Sequence, residues 1–389
     1  MNLSKLRLIT ILFILLGSII VGYIKNNQLN EVELVSGLGI DQVDKQYVVT
    51  LQIFNPSANQ KNSVDPTGGF TYTQKGKTIP DAIEKIKKET LKEPILDTLQ
   101  VVTLSERLVE EEGLNETLDF LVRNPRVPAS INTIIVKNAS PELFLTLFTP
   151  QEKLTALYTN TMLRNSKGVW GNLVNTSSER ILSYLTDHTS DIIIPYVEIH
   201  GDIDQGMTKG NIESFSPASH LSLEGFATFR GEKLSSFLTN EESNTLALIK
   251  GIDQVINISA PCPDSDDEFT MDTISTSSSL KGGTEPVSFR LKVMVKGNLE
   301  QIGCRKDLTK LSLKKALESQ LEKKIKADIE AVIKKVQEDG TDVIGLKDAL
   351  YRQEPKTWDK KKTDKNFLSD VNVYTSVNVE FIRFGHIKQ

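Results

Sequence analysis

The sequence predicts an α+β protein, with antiparallel and mixed sheets packed with helices in two to three domains behind an N-terminal membrane-anchor helix. Three observations carry this reading. Residues 8–24 form a charge-free run behind Lys5 and Arg7. Several stretches alternate apolar and polar residues with period two, as at Val287, Phe289, Leu291, Val293 and Val295, the mark of a half-buried strand. Elsewhere apolar residues recur every three or four positions, as at Leu313, Leu317, Leu321, Ile325, Ile329, Val332 and Val336, which makes a helix with one buried face. The 389 residues are 25% charged and 39% hydrophobic, which suits a globular chain of more than one domain rather than a disordered one.

The leading run is 17 residues long, on the border between a signal-peptide core and a minimal membrane span. Lys5 and Arg7 should stay in the cytoplasm, so everything after Lys25 is expected on the other side of a membrane. No second apolar run of that length follows, and mean hydropathy is −0.23.

Beyond the anchor, residues 34–41 and 47–54 read as a hairpin joined by a short polar link over 42–46. Residues 56–69 are polar with Pro and Gly and read as loop. Thr78, Pro80 and Asp81 make a helix start: a capping hydroxyl, a proline tolerated in the first turn, and an acid at the positive end of the dipole. Residues 99–104 and 131–136 read as short strands, with a helix through Leu114, Leu118 and Leu121 between them. Ser140-Pro141-Glu142 and Thr149-Pro150-Gln151-Glu152 each announce a helix, the second as a capping box. Residues 191–199 read as a strand. The polar stretch 201–219 is the expected main boundary. After it come a hairpin over 223–238, a capping box at Thr239 and Glu242, and an acidic Ser/Thr/Gly-rich loop over 264–285. A strand from 287, the long helix over 306–339 and an alternating tail over 371–381 finish the chain. The expected organisation is an anchor over 1–25, an α+β region over 26–205 and a second α+β domain over 217–389. Helices should cover one face of each antiparallel sheet.

Motifs for chemistry are sparse. Gly37 and Gly39 lack the third glycine and the following helix of a dinucleotide loop, and read instead as close backbone approach. Counted from Asp264, a calcium loop would need glycine at Phe269 and glutamate at Ser275. Ser312 and Lys315 match Ser-x-x-Lys with no partner motif. Lysines from 314 to 335 interleave with acids as a solvated helix face, while Lys360, Lys361 and Lys362 are the candidates for lipid headgroups or a partner. The four histidines are scattered and no Cys-x-x-Cys occurs, so no metal or other cofactor is expected. The net charge of −5 gives no basic field for nucleic acid. Cys262 and Cys304 each follow an alternating stretch in an exported context. They are placed to pair across neighbouring strand ends, or equally to remain two separate thiols.

The order of segments resembles the Ger(x)C family, the C subunits of nutrient germinant receptors in endospore-forming bacteria. The resemblance is carried by Glu31-Val-Glu-Leu-Val-Ser-Gly-Leu-Gly-Ile-Asp41, by Gly76-Lys77-Thr78-Ile79, and by the run Leu118-Asp119-Phe120-Leu121-Val122-Arg123-Asn124-Pro125. In the second half it rests on Glu224-Gly225-Phe226, Asp342-Val343-Ile344-Gly345-Leu346, Pro355-Lys356-Thr357-Trp358 and the closing strand. It implies a non-enzymatic receptor subunit at the outer face of the spore inner membrane, with an A subunit and a multi-span B subunit as partners. The chain departs from the family where a lipidated cysteine is usual: counting back from Glu31, that place is Tyr23. Tyrosine has no thiol to carry a diacylglyceryl group, so the anchor helix should replace the lipid. A different class, an exported solute-binding or cell-wall-lytic membrane-tethered protein, would show a deep apolar pocket or a cleft with paired carboxylates.

Overall fold

The computed structural model describes Gly17 and residues 32–384, apart from 57–66, 188–189, 264, 285, 305–309, 363 and 365. The anchor run, with Tyr23, lies outside the described residues except for Gly17. No helix among the described residues is long and apolar enough to cross a membrane.

The described strands form two sheets, one of nine strands and one of four. The larger opens with β1 (Val32–Val43) and β2 (Gln46–Phe54), the expected hairpin. Its two turn residues, Asp44 and Lys45, both have positive φ, as a two-residue hairpin that follows strand twist requires. β3 (Gly69–Gly76) continues the meander. On the other side of β1 come β5 (Val101–Ser105), β6 (Thr133–Val136) and β7 (Ile193–Gly201), all parallel. The short β4 (Glu93–Ile95) pairs with the start of β1. β8 (Ser219–Arg230) and β9 (Lys233–Leu238) close the sheet as an antiparallel hairpin.

Two expectations meet a different arrangement here. The centre of this sheet is parallel, and helices cover both of its faces. On β5, Val101 points into one apolar cluster while Val102 and Leu104 point into another; on β6, Ile134 and Val136 oppose Ile135 in the same way. Parallel strands buried on both sides read as continuous apolar runs rather than alternations, as Val-Val-Thr-Leu and Thr-Ile-Ile-Val do. The polar stretch 201–219 does not interrupt the sheet, because β7 and β8 pair along the whole length of β7.

One face is covered by α1 (Ile79–Ile86), α2 (Glu106–Glu111), α3 (Asn115–Arg123) and α6 (Ser178–Asp187), through Ile79, Ile86, Leu108, Leu118 and Ile181. Thr78 caps α1 as its sequence predicts, its hydroxyl accepting from Asp81 N at 3.2 Å. The other face is covered by α4 (Pro141–Thr146) and α5 (Thr155–Trp170), through Phe144, Leu145, Leu163 and Trp170. α4 lies so close to β1 that a Cβ on Gly39 would sit 2.8 Å from Pro141 Cβ, which accounts for the Gly37/Gly39 pair as close approach. The capping box expected at Thr149 does not form. Thr149 donates its hydroxyl to Glu152 O in a turn, and α5 starts at Thr155, where Thr155 Oγ1 donates to Leu147 O at 2.8 Å.

α7 (Asn240–Ile249) leads out of the first sheet, with the capping box of Thr239 and Glu242 in place. Leu246, Leu248 and Ile249 pack toward the second sheet, whereas Ala247 faces the first. The second sheet runs β10 (Asn257–Pro261), β11 (Glu268–Thr284), β12 (Val287–Ile302) and β13 (Asn372–Arg383), with β12 and β13 parallel. The expected loop over 264–285 is therefore mostly strand. Phe269, Met271 and Thr273 keep a period-two inward face, and pairing with β12 through residue 284 outweighs the loop-like Ser/Gly composition. Beneath the sheet lies α8 (Leu311–Glu338), whose predicted apolar stripe from Leu313 to Val336 is buried. Its outer face carries i,i+4 ion pairs such as Lys324–Asp328 at 3.0 Å. Glu318 and Glu322 of α8 accept from the backbone N–H groups of Phe381 and Val379 at 3.0 and 3.1 Å, on the far edge of β13.

Candidate functional site

The most elaborate side-chain arrangement among the described residues lies where the two sheets meet. A cavity of about 760 Å³ opens between the end of α5, α6, the start of β7, the end of α7, β11 and α9 (Leu346–Gln353). Asp342 organises one wall. Its carboxylate accepts from the N–H groups of Gly345, Leu346 and Lys347 at 2.9, 2.8 and 2.7 Å, so it holds the start of α9. Gly345 has φ of +89°, which lets the chain turn back onto that carboxylate. Asp342 also joins the sheets: its N–H donates to Asp191 Oδ2 at 2.6 Å, and Asp191 N donates to Asp342 O at 3.3 Å. Burial pushes the Asp342 carboxyl above the usual range, while the Lys347 and Leu346 amides and the charge of Lys250 pull the other way.

Lys250, at the end of α7, extends into the cavity and donates to Ile344 O at 2.9 Å. Crowding by protein atoms lowers its ammonium below the usual lysine range; Asp342 and Asp348 oppose that, and Arg180 reinforces it by like-charge repulsion. The side chain keeps solvent access within the cleft, so the loss of hydration is partial. Arg180, on α6, donates to Asn172 O at 2.9 Å and to Tyr184 Oη at 3.3 Å. Arg352 is held by Asp348 at 2.8 Å. The rest of the lining is mixed, with aliphatic Leu173, Ile193, Ile252, Leu280 and Val343 beside polar Asn175, Thr176, Ser190 and Ser278.

A second, more open groove of about 1140 Å³ runs between α1, α3 and α6. Tyr47 lies at its floor and donates to Glu116; burial and that carboxylate push the phenol above its usual range.

The residues weighed for chemistry in the sequence line neither cavity, whereas the family segments do: Val343–Gly345 line the first, and Thr78, Ile79 and residues of the 118–124 run line the second. Cys262 and Cys304 are bonded to each other, with Cα atoms 5.8 Å apart, just beyond the ends of β10 and β12. They bracket the first residue of β11, whose Glu268 O accepts from Gly303 N at 2.8 Å. Ser312 and Lys315 are exposed on α8. Asp264 lies outside the described residues, and no group of three or more metal-ligating side chains occurs among the described ones. Lys361 pairs with Asp364 and Lys362 with Asp359, at 2.9 and 3.0 Å. Sequence reading missed Arg180 and Lys250 as partners, since 70 positions of chain separate them and neither sits in a motif. Asp342 had a signal: an acid three residues before the glycine that precedes a helix.

Two family models match the chain in succession, and the second begins inside β8 of the first sheet. A model described as the spore germination protein N-terminal domain matches residues 25–199, and one described as spore germination B3/GerAC-like, C-terminal, matches residues 224–385. This chain belongs to the GerAC family of spore germination proteins. The family's second segment takes in the Asp342 wall, Lys250 and the disulfide, while its first takes in Arg180 and Asp191. Among GerAC relatives, spore germination protein KC of Bacillus subtilis (strain 168) is 24% identical over 390 residues, covering 97% of this chain and 96% of that protein. Spore germination protein B3 of the same strain is 22% identical, covering 92% and 93%. The fold resembles the crystal structure of the GerBC protein, with a TM-score of 0.56 at 19% identity, covering 89% of this chain and 97% of that one.

Proposed function

We propose that this GerAC-family chain is the non-enzymatic C subunit of a nutrient germinant receptor, held at the outer face of the spore inner membrane by an uncleaved helix over residues 8–24. The observation that carries the reading is the end-to-end correspondence with proteins KC and B3, which spans both sheets in one order. The use of charge supports a structural role. Asp342 spends its carboxylate on three backbone amides, and Asp41 spends its own on Ser105 and Arg107. Such groups fix elements in place rather than move protons. The partners would be an A subunit with a large soluble part and a multi-span B subunit. Two α+β regions, over 26–205 and 217–389, would supply the interaction surface.

The test is purification of the tagged full-length chain from spore membranes. Two further subunits should come with it, and deletion should block germination by particular nutrients. Recovery of the chain alone, with germination unimpaired in its absence, would overturn the assignment. Intact mass should include residues 1–25; a mature chain beginning near residue 23 would remove the anchor from the proposal.

A further inference from the structure

We infer that the cleft between the two sheets binds a small organic carboxylate with a short apolar body, its charge held by Lys250 and Arg180. The inference goes beyond receptor membership and does not depend on it. The charges around the cavity are unevenly paired. Five ionic side chains line it: Arg180, Asp191, Lys250, Asp348 and Arg352. Asp348 and Arg352 neutralise each other at 2.8 Å. Asp191 is engaged by the Asp342 amide at 2.6 Å. Lys250 and Arg180 remain, and neither makes an ion pair with any described residue. Lys250 Nζ has three donors and gives one to Ile344 O; Arg180 has five and gives two, to Asn172 O and Tyr184 Oη.

Two like charges facing one crowded cavity repel, and bringing an anion between them reverses that term. Asp342 and Asp348 act on Lys250 through space, but Asp348 is already paired with Arg352. Asp342, the acid nearest by sequence to that wall, is turned away onto the α9 amides. A ligand carboxylate would accept from both cations at once, the geometry that makes charge-assisted bonds strong. The aliphatic part of the lining sets the rest of the ligand. Leu173, Ile193, Ile252, Leu280 and Val343 present aliphatic surface, so a bare inorganic anion would meet only the charged end. The volume of about 760 Å³ is in the range of small-molecule sites. The walls come from both sheets, so an occupant would also hold the two halves together.

The test is calorimetric titration of the full-length protein in mild detergent. Hexanoate is the probe, with hexylammonium and inorganic phosphate as comparison arms. Hexanoate should saturate one site, hexylammonium should not bind, and phosphate should bind at least about tenfold more weakly than hexanoate. Lys250→Met and Arg180→Gln should each weaken hexanoate by at least about tenfold, the loss expected for one charge-assisted bond. Leu280→Trp should abolish binding by filling the apolar end, and Lys315→Met, remote on α8, should change nothing. Melting temperature reports folding of each variant; if Lys250→Met does not fold, Arg180→Gln and Leu280→Trp decide the matter. Absence of saturable hexanoate binding would overturn the inference. So would equal binding of hexylammonium or phosphate, or hexanoate binding that survives all of the cleft substitutions in folded protein.

Discussion

The nine-stranded and four-stranded sheets solve the same burial problem in different ways. The first has four parallel strands at its centre and helices on both faces, so alternate residues of β5 and β6 enter two separate cores. The second has one covered face. α8 packs beneath Phe269, Phe289, Leu291, Val293 and Phe381, while Arg290, Lys292 and Tyr374 face outward. A sheet with one core depends more on each large side chain in it, and on whatever ties its ends. That sheet carries the disulfide. The difference teaches where a single change should be felt locally and where it should spread.

The largest effect is expected for Phe289→Ala. Phe289 is fully buried and meets Phe367 edge-on at 6.3 Å. Its truncation should cost about 3–5 kcal/mol. Hydrogen exchange should then rise over β10–β13 and stay slow in β1, β5 and β6; a uniform rise would show that the two sheets unfold as one unit. Next is the double substitution Cys262→Ser, Cys304→Ser. The bond closes a loop of 42 residues, and releasing it should cost about 4 kcal/mol through denatured-state entropy. A lower urea midpoint, reproduced in the parent protein by reductant, checks this. A core variant of the first sheet, Leu104→Ala, should cost about 2–5 kcal/mol and leave the reductant effect intact.

A smaller change should appear at the junction. Asp342→Ala leaves three amides without their acceptor and should cost about 1–3 kcal/mol. Combined with Asp191→Ala it should be non-additive in a double-mutant cycle, because the Asp342 N–H that donates to the Asp191 carboxylate is positioned by the same turn that the Asp342 carboxylate holds. The smallest effect concerns pH. A bond from the Ser222 hydroxyl, and after it His200, hold the Glu224 carboxyl below its ordinary value of 4.5. A depressed carboxyl contributes stability above its unfolded value and loses it as pH falls through the folded one. Melting temperature should therefore fall more steeply below about pH 4.5 in the parent than in Glu224→Gln, with no such difference at neutral pH.

Much of this comparison was legible in the sequence, and the gaps have physical causes. The α8 stripe, the β12 alternation and the Thr239 box follow from local periodicity and capping, and they appear where the spacing puts them. The parallel centre was not legible as such, because a short apolar run such as Thr133–Val136 does not state which neighbour it pairs with. β11 was hidden by its Ser, Thr and Gly content, since its strand character comes from the ladder with β12 rather than from its own residues. The cleft was invisible for the same reason at larger scale. Arg180 and Lys250 line one cavity only because α6 and the end of α7 both border the place where the sheets meet.

One feature of the second sheet bears on how this molecule behaves in a crowd. The last strand of a sheet ordinarily advertises a row of unclaimed amides, which recruits any extended segment that drifts past. Glu318 and Glu322 occupy two of those amides on β13 with side chains anchored in a neighbouring helix. That stretch is thus sealed against lateral growth into fibres without a covering loop. A neighbour approaching it meets anionic oxygens instead of a backbone template, so contact there selects for cationic donors and against strand exchange.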